Sequence, residues 1–256
     1  MTAVHEKARE LAEALLVASA SGEQIPRPVD LDPSTARAVR ALCIEGLTTS
    51  RGASVGAYKV SLSTGTWGAL PEDAVLFGET VLPRRSFNDP LLEGEIAFLA
   101  RSDLAPGCSV DEVLARCLVA PAIEVADSRW EDWCPRDPKR FVIPSAAEIE
   151  ADNAVAGCLI IGEPWVAPDL DLADTSVEMQ SRGQVLAKEP FRKVMGHPAK
   201  AVSWLAGQLA AEERTIRRGQ IISSGCPHEK PVTVPIGGGR WLAAVAGLGA
   251  VSVEFV

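Results

Sequence analysis

Two apolar stripes at helical spacing open the chain. Ala8, Leu11, Leu15 and Ala18 form the first, over residues 5–20, and Gly22 ends it. Residues 24–30 read as a proline-bearing linker. Asp32-Pro33 is a helix start, an acid at the N-cap with proline at the first helical position. Ala36, Val39, Cys43 and Leu47 carry that helix to about Thr49. From Val55 the pattern turns to β. Val55 to Leu62 reads as a strand with one basic residue, Lys59. Ser63 to Glu72, rich in Gly, Thr, Trp and Pro, reads as a loop and a natural lid.

Leu76-Phe77-Gly78 and Glu79–Val81 then lead to a further strand, Glu95–Leu99. Ser109 and Glu112 make a capping box that opens a short helix through Cys117. An apolar strand then carries Glu124. Residues 128–152 read as irregular, with Trp130, Trp133, Pro135, Pro138 and Pro144; the tryptophans read as packing residues. Val155–Ile161 is a buried strand, and Thr175–Leu186 a hairpin around Arg182-Gly183. His197-Pro198 begins a helix with Val202, Leu205 and Leu209 inward. Ile221–Ser224 is a strand, and residues 241–255 a closing hairpin around Gly247-Leu248-Gly249. Helices gathered near the ends of a strand-rich middle indicate α+β, with a helical segment 1–53 before a main body 54–256.

Three acids stand out against this pattern. Residues two apart in a strand share a face, so Glu93 and Glu95 point the same way. Parallel carboxylates repel, and a hard divalent cation removes the conflict. Glu124, between Ile123 and Val125, is an acid in a segment that reads as buried, so it needs a partner or a metal. Three carboxylates from two neighbouring strands make a facial ligand set with open positions for substrate. Lys59 either carries its ammonium out to solvent along its stem or sits desolvated as an acid/base or a substrate-carboxylate partner.

Composition narrows the partners. The chain has 256 residues, 47% hydrophobic and 23% charged, with net charge −9 and no Lys/Arg-rich block. That argues against nucleic acid or an anionic membrane as partner. No apolar run reaches membrane-span length. Charged residues from Glu6 to Glu13 break up the N-terminus, so it does not read as a signal peptide, and a cytoplasmic location is expected. Six scattered cysteines without a C-x-x-C pair read as reduced and mostly buried.

Several segments together resemble the fumarylacetoacetate hydrolase superfamily, in its 2-keto-4-pentenoate hydratase / 2-oxo-3-hexenedioate decarboxylase branch. They are E-G-E-I-A-F (93–98), P-A-I-E-V-A-D-S-R (121–129), A-D-N (151–153), M-G-H-P (195–198), V-S-W-L-A (202–206) and G-L-G-A-V-S-V-E-F (247–255). The resemblance implies a mixed, barrel-like β-roll with N-terminal helices, assembled as a homo-oligomer, with a pathway decarboxylase or hydratase as a further partner. It implies Mg²⁺ or Mn²⁺ held by Glu93, Glu95 and Glu124, and Lys59 beside a bound 2-keto acid. Glu72 would join Lys59 in moving protons. Asp152 and His197, in those segments, Ser61, two residues after Lys59, and Ser224, in a Ser224-Gly225 pair that matches the family's Thr-Gly or Ser-Gly, are expected to contact substrate.

The activity implied is addition of water to a 2-hydroxy-2,4-dienoate, giving a 4-hydroxy-2-keto acid. The alternatives are a decarboxylase using the same enolate sink and a non-catalytic member that keeps the scaffold. Some positions depart from the family pattern. Ser61 stands where glycine follows the lysine, and Pro71-Glu72 where Pro-Asp is usual. Residues 187–193, Ala-Lys-Glu-Pro-Phe-Arg-Lys, replace a Gly-rich turn. Arg192 and Lys193 there are expected to hold a second carboxylate, because arginine binds carboxylates bidentately.

Overall fold

A computed structural model describes residues 3–134 and 144–256. Pro135 and Pro138 lie outside the described residues. In chain order the elements are α1 (Ala3–Ser21), α2 (Pro33–Arg51), β1 (Val55–Ser61), β2 (Thr66–Pro71), β3 (Val75–Phe77), β4 (Thr80–Leu82), β5 (Leu91–Ala100), α3 (Val110–Arg116), β6 (Cys117–Ala126), α4 (Ala146–Ala151), β7 (Ala156–Ile161), β8 (Ser176–Ser181), β9 (Gln184–Pro190), α5 (Ala199–Ala210), β10 (Ile221–Ser223), β11 (Val232–Thr233), β12 (Gly239–Val245) and β13 (Gly249–Phe255).

The strands form two layers. One is an eight-stranded mixed sheet in the order β2-β1-β10-β5-β6-β7-β3, with β11 paired to β5 beside β10. The other is a five-stranded sheet in the order β4-β13-β12-β8-β9. The long central pair β5 and β6 backs onto β8, β12 and β13. Gly94 allows this approach: a Cβ there would lie 2.7 Å from Val177 Cγ2 and 2.9 Å from Met179 Sδ on β8. The main core fills the space between the layers, with Ile123, Val177, Met179, Val251 and Val253 all buried. This is the α+β roll expected.

The helix signals work as chemistry predicts. Asp32 accepts from the backbone N–H groups of Ser34 and Thr35, both at 3.0 Å, and Gly52 closes α2 at φ 60°. The Ser109–Glu112 capping box is formed at α3. The helices α1 and α2 pair through Ala8, Ala12, Leu15, Ala36, Val39 and Cys43, and this second core runs on to Trp130 and Val155 of the body. Arg40 ties α2 down further. Its buried guanidinium lies 3.8 Å over the Trp67 ring and pairs with Glu150 at 2.9 Å and with Glu212.

Two segments differ from their sequence reading. Residues 66–71 are not a lid but strand β2, fully buried and antiparallel to β1, with Val60 opposite Trp67. Its turn-like composition hid an element held by cross-strand pairing and by Trp67 packing under Arg40 and beside Tyr58. Within 128–152 a second capping box, Ser145 with Glu148, opens α4. Trp130 is fully buried and donates Nε1–H to the Glu148 carbonyl at 3.0 Å.

Candidate active site

One face of the large sheet gathers the chemistry. Register puts Glu93 of β5 opposite Glu124 of β6, with Glu95 two residues along on the same face. Strand β10 lies between β1 and β5, pairing Ser223 with Lys59 on one side and with Ala97 on the other. Lys59, Ser223, Glu93, Glu95 and Glu124 therefore share a face. One ligand atom each from Glu93, Glu95 and Glu124 lie within 4.8 Å of one another. Lys59 Nζ stands 2.8 Å from Glu124 Oε1 and donates to the Ala154 carbonyl at 2.9 Å.

The electrostatics of this cluster are lopsided. Three carboxylates, two of them fully buried, face one ammonium. Burial, then the neighbouring Glu124 carboxylate, pushes Glu93 up to about 7, against an opposing pull from Lys59. Burial and the other two carboxylates raise Glu95 well above the usual range, although Ser223 donates to it. For Lys59, burial acts downward. The carboxylates of Glu124, Glu93 and Glu95 outweigh it and hold the ammonium charged. Glu95 Oε2 accepts from Ser223 Oγ and from Gly225 N at 2.8 Å, while Glu95 Oε1 and Glu124 Oε2 have no hydrogen-bond partner. Buried carboxylate oxygens without partners, gathered on one face, fit a divalent cation: hard donors, close spacing and a negative surplus.

A cleft of about 670 Å³ opens over this face. Lys59, Ser61 and Glu93 line its inner end, Leu62, Leu91, Trp133, Ile149 and Val155 its apolar wall, and His228 and Lys230 its other side. Sequence reasoning missed His228. It is nearly buried, its Nδ1 has no hydrogen-bond partner, and burial lowers its pKa. Only its place just beyond the Ser224-Gly225 turn marked it in the sequence.

Other expected site residues stand elsewhere. Glu72 is exposed and borders a separate surface cavity with Arg214 and Arg217. Because Lys59 pairs with Gly68, β2 carries Glu72 four residues, about 13 Å, down the strand from Lys59. Asp152 is buried, but its carboxylate is taken up by Ser128 Oγ at 2.7 Å and by Arg129. His197 uses Nδ1 to accept from Ala199 N at 3.1 Å at the start of α5, outside the cleft lining. Ser224 Oγ accepts from Ile96 N at 3.3 Å and donates to the Gly225 carbonyl; its neighbour Ser223 supports Glu95. Arg192, 60% exposed, pairs with Asp174 away from the cleft, and Lys193 pairs with Glu189 at 2.9 Å and Glu229 at 3.3 Å at the edge of an adjoining hollow. The expected second-carboxylate pair is thus not assembled in the cleft. Both residues fall just after β9, and neither is among the residues that line the cleft.

The layered roll carries a carboxylate face whose donors fit a divalent cation. No family model matches the chain. The chain is 37% identical to the 2-hydroxyhexa-2,4-dienoate hydratase of Comamonas testosteroni over 65% of its length, a match that spans 60% of that protein. It is 31% identical to the 2-oxo-hept-4-ene-1,7-dioate hydratase of Escherichia coli, over 76% of this chain and 72% of that one. The solved 4-oxalocrotonate decarboxylase of Pseudomonas putida G7, complexed with magnesium and adipate, superimposes with a TM-score of 0.87 and 26% identity, covering 100% of both chains. The chain belongs to the fumarylacetoacetate hydrolase superfamily, among its hydratases and decarboxylases. Among the described residues no helix is long and apolar enough to cross a membrane.

Proposed function

We propose that the protein is a metal-dependent hydratase that adds water to a 2-hydroxy-2,4-dienoate to give a 4-hydroxy-2-keto acid. The observation that carries the reading is a carboxylate set, half-buried Glu93 with buried Glu95 and Glu124, beside a lysine that lines a cleft. Mg²⁺ is the ion favoured, since the donors are all carboxylates and the decarboxylase that superimposes over the whole chain was solved with magnesium. Such an ion supplies Lewis-acid charge for the carboxylate and C2 oxygen of a 2-keto acid.

The chain's own groups do the rest. Lys59, kept charged by Glu124, gives a proton to C5 of the dienol as the C2 hydroxyl loses its own to a water molecule, which leaves the C3–C4 unsaturated ketone. Water then adds its hydroxyl at C4, the proton it releases returns to the lysine, and C3 of the resulting enolate takes up the proton that the C2 hydroxyl gave to water, restoring the ketone. Glu72 takes no part in this scheme, because it lies outside the cleft. The apolar wall holds the carbon tail and keeps bulk water from the dienol. In this reading residues 54–256 form the catalytic body, residues 1–53 a helical addition, and the working form is a homo-oligomer.

A decarboxylase reading is favoured by one observation, the full-length likeness to 4-oxalocrotonate decarboxylase. One experiment separates the two. The purified protein with Mg²⁺ is given a 2-hydroxy-2,4-dienoate and, separately, a 2-oxo-3-hexenedioate. Loss of dienol absorbance with formation of the hydroxy keto acid, abolished by EDTA, supports the hydratase. Carbon dioxide release from the diacid without dienol hydration would replace it with the decarboxylase.

A further inference from the structure

Between α4 and β7 the chain makes a turn that an ordinary loop has no reason to make. Asn153, Ala154 and Val155 all have left-handed backbone, with φ 51°, 52° and 54°. Residues with a Cβ avoid this region, and a β-branched valine avoids it most. Glycine would adopt it without strain, yet no glycine is present. Such a conformation persists only where its surroundings over-determine it.

The surroundings here do so from two sides. Asn153 is clamped on the backbone of β2: its Oδ1 accepts from Ala69 N at 2.9 Å and its Nδ2 donates to the Ala69 carbonyl at 2.8 Å. Gly68 makes room for this contact, since a Cβ there would lie 2.1 Å from the Asn153 carbonyl oxygen. On the other side, Val155 N donates to the Asp152 carbonyl and Asp127 N to the Val155 carbonyl, both at 2.8 Å. Asp152 is in turn fixed by Ser128 and Arg129. All three turn residues are buried.

What these restraints deliver is one carbonyl at the cleft floor. The Ala154 oxygen accepts from Lys59 Nζ at 2.9 Å, while Glu124 Oε1 holds the same nitrogen at 2.8 Å. The Ala154 carbonyl takes one of the ammonium's three N–H groups and Glu124 holds its charge as an ion-pair partner, so donor capacity remains for a ligand. A lysine head on a flexible stem does not hold one position by itself. Fixed at two points, it becomes a directed donor, which is the condition for efficient proton transfer.

We propose that Asn153 is the positioning residue of this site: its clamp on β2 sets the left-handed turn whose Ala154 carbonyl, with Glu124, aims the Lys59 ammonium into the cleft. The inference rests on reading Lys59 as the proton-moving group. Its test therefore has one arm that needs no turnover.

Asn153→Gly removes both amide bonds while keeping a residue that takes positive φ freely. Asn153→Asp keeps the shape and the acceptor but loses the donor, and serves if the glycine variant does not fold. In the first arm, protein labelled with ¹⁵N-lysine is examined by NMR with and without Mg²⁺. The protected Lys59 ammonium signal, assigned by its absence in Lys59→Met, is expected in wild type and expected to broaden or vanish in the Asn153 variants. In the second arm, kcat on a dienol is expected to fall roughly 10- to 100-fold, as misplaced catalytic groups do. KM and Mg²⁺ affinity should stay within about twofold, and the same substitution should cost nothing further in a Lys59→Met background.

The proposal is overturned if folded Asn153 variants keep the ammonium signal and kcat, or if the loss persists undiminished in the Lys59→Met background. If wild type turns over no dienol, or Lys59→Met keeps full activity, it is the hydratase reading that fails. The ammonium signal then decides alone whether Asn153 orders Lys59.

Discussion

Replacing Lys59 by methionine separates the lysine's structural work from its chemical work. Methionine keeps much of the stem's volume and removes only the charge and its donors. Both Lys59 and Glu124 are almost wholly buried, 3% and 1% exposed in their side chains, so the pair is not a surface ion pair. Removing one partner of a buried pair costs about 3–5 kcal/mol when the other is left charged. Part of that belongs to the Ala154 carbonyl, which loses its donor at 2.9 Å, about 1–3 kcal/mol for a buried unpaired acceptor. For a chain of this size the metal-free variant should melt roughly 10 °C lower, at about 2–4 °C per kcal/mol.

Mg²⁺ should recover the carboxylate part of this loss and not the carbonyl part. The cation takes over Glu124, leaving a deficit of about 1–3 kcal/mol from Ala154. With every group ionised the cluster carries formal charge minus two in wild type and minus three in the variant, so its metal affinity should be retained or tightened. Turnover should nonetheless drop about 10²–10⁴-fold, the usual contribution of a general acid/base. The assays are melting curves in EDTA and in saturating Mg²⁺, calorimetric metal titration, and dienol absorbance. A variant as stable as wild type in EDTA would refute the pairing. Full turnover with metal bound would refute the proton transfer.

Metal binding should depend on pH through Glu93. Its metal-free pKa of about 7 lies above the ordinary 4.5, so the folded state holds a proton the unfolded chain has lost, and metal-free stability falls as pH rises between the two values. Mg²⁺ needs the carboxylate, so it should flatten that decline, and titration in two buffers of different ionisation enthalpy should show more proton release near about pH 6 than about pH 8.5; equal heats in both buffers at the lower pH would contradict this. Ser223→Ala, which removes the hydroxyl supporting Glu95, should weaken Mg²⁺ about tenfold, and Glu95→Gln more, by calorimetry; wild-type affinity in Glu95→Gln would remove that carboxylate from the ligand set. Arg192→Ala should leave the ratio of kcat/KM for mono- and dicarboxylic dienols unchanged and stability within about 0.5 kcal/mol, because the arginine is an exposed ion-pair partner of Asp174; a selective loss on the diacid would return Arg192 to the substrate.

Much of this fold was written locally. Strand periodicity placed Glu93 and Glu95 on one face, and Asp32-Pro33 and Ser109–Glu112 opened their helices, because a two-residue repeat and a cap are properties of a few neighbouring residues. Glu124 stood out for a similar reason, as an acid among apolar neighbours. Where local composition misled, long-range pairing had overruled it. Residues 66–71 look like a loop until β1 and Trp67's partners make them a buried strand, and that same register carries Glu72 away from Lys59. Asp152 and Ser224 lie in segments shared with the family, yet Arg129 claims the first, and the alternation of β10 turns Ser223 to Glu95 in place of the second.

By itself the sequence determined the alternation, the helix caps, the three acids and the lysine, since each depends on residue type and short spacing. Only the tertiary structure decided that β10 lies between β1 and β5, that Glu93 faces Glu124, that the Ala154 carbonyl meets Lys59 and that His228 borders the cleft. Strand order and register are set by packing between segments far apart in the chain, where no local pattern reaches.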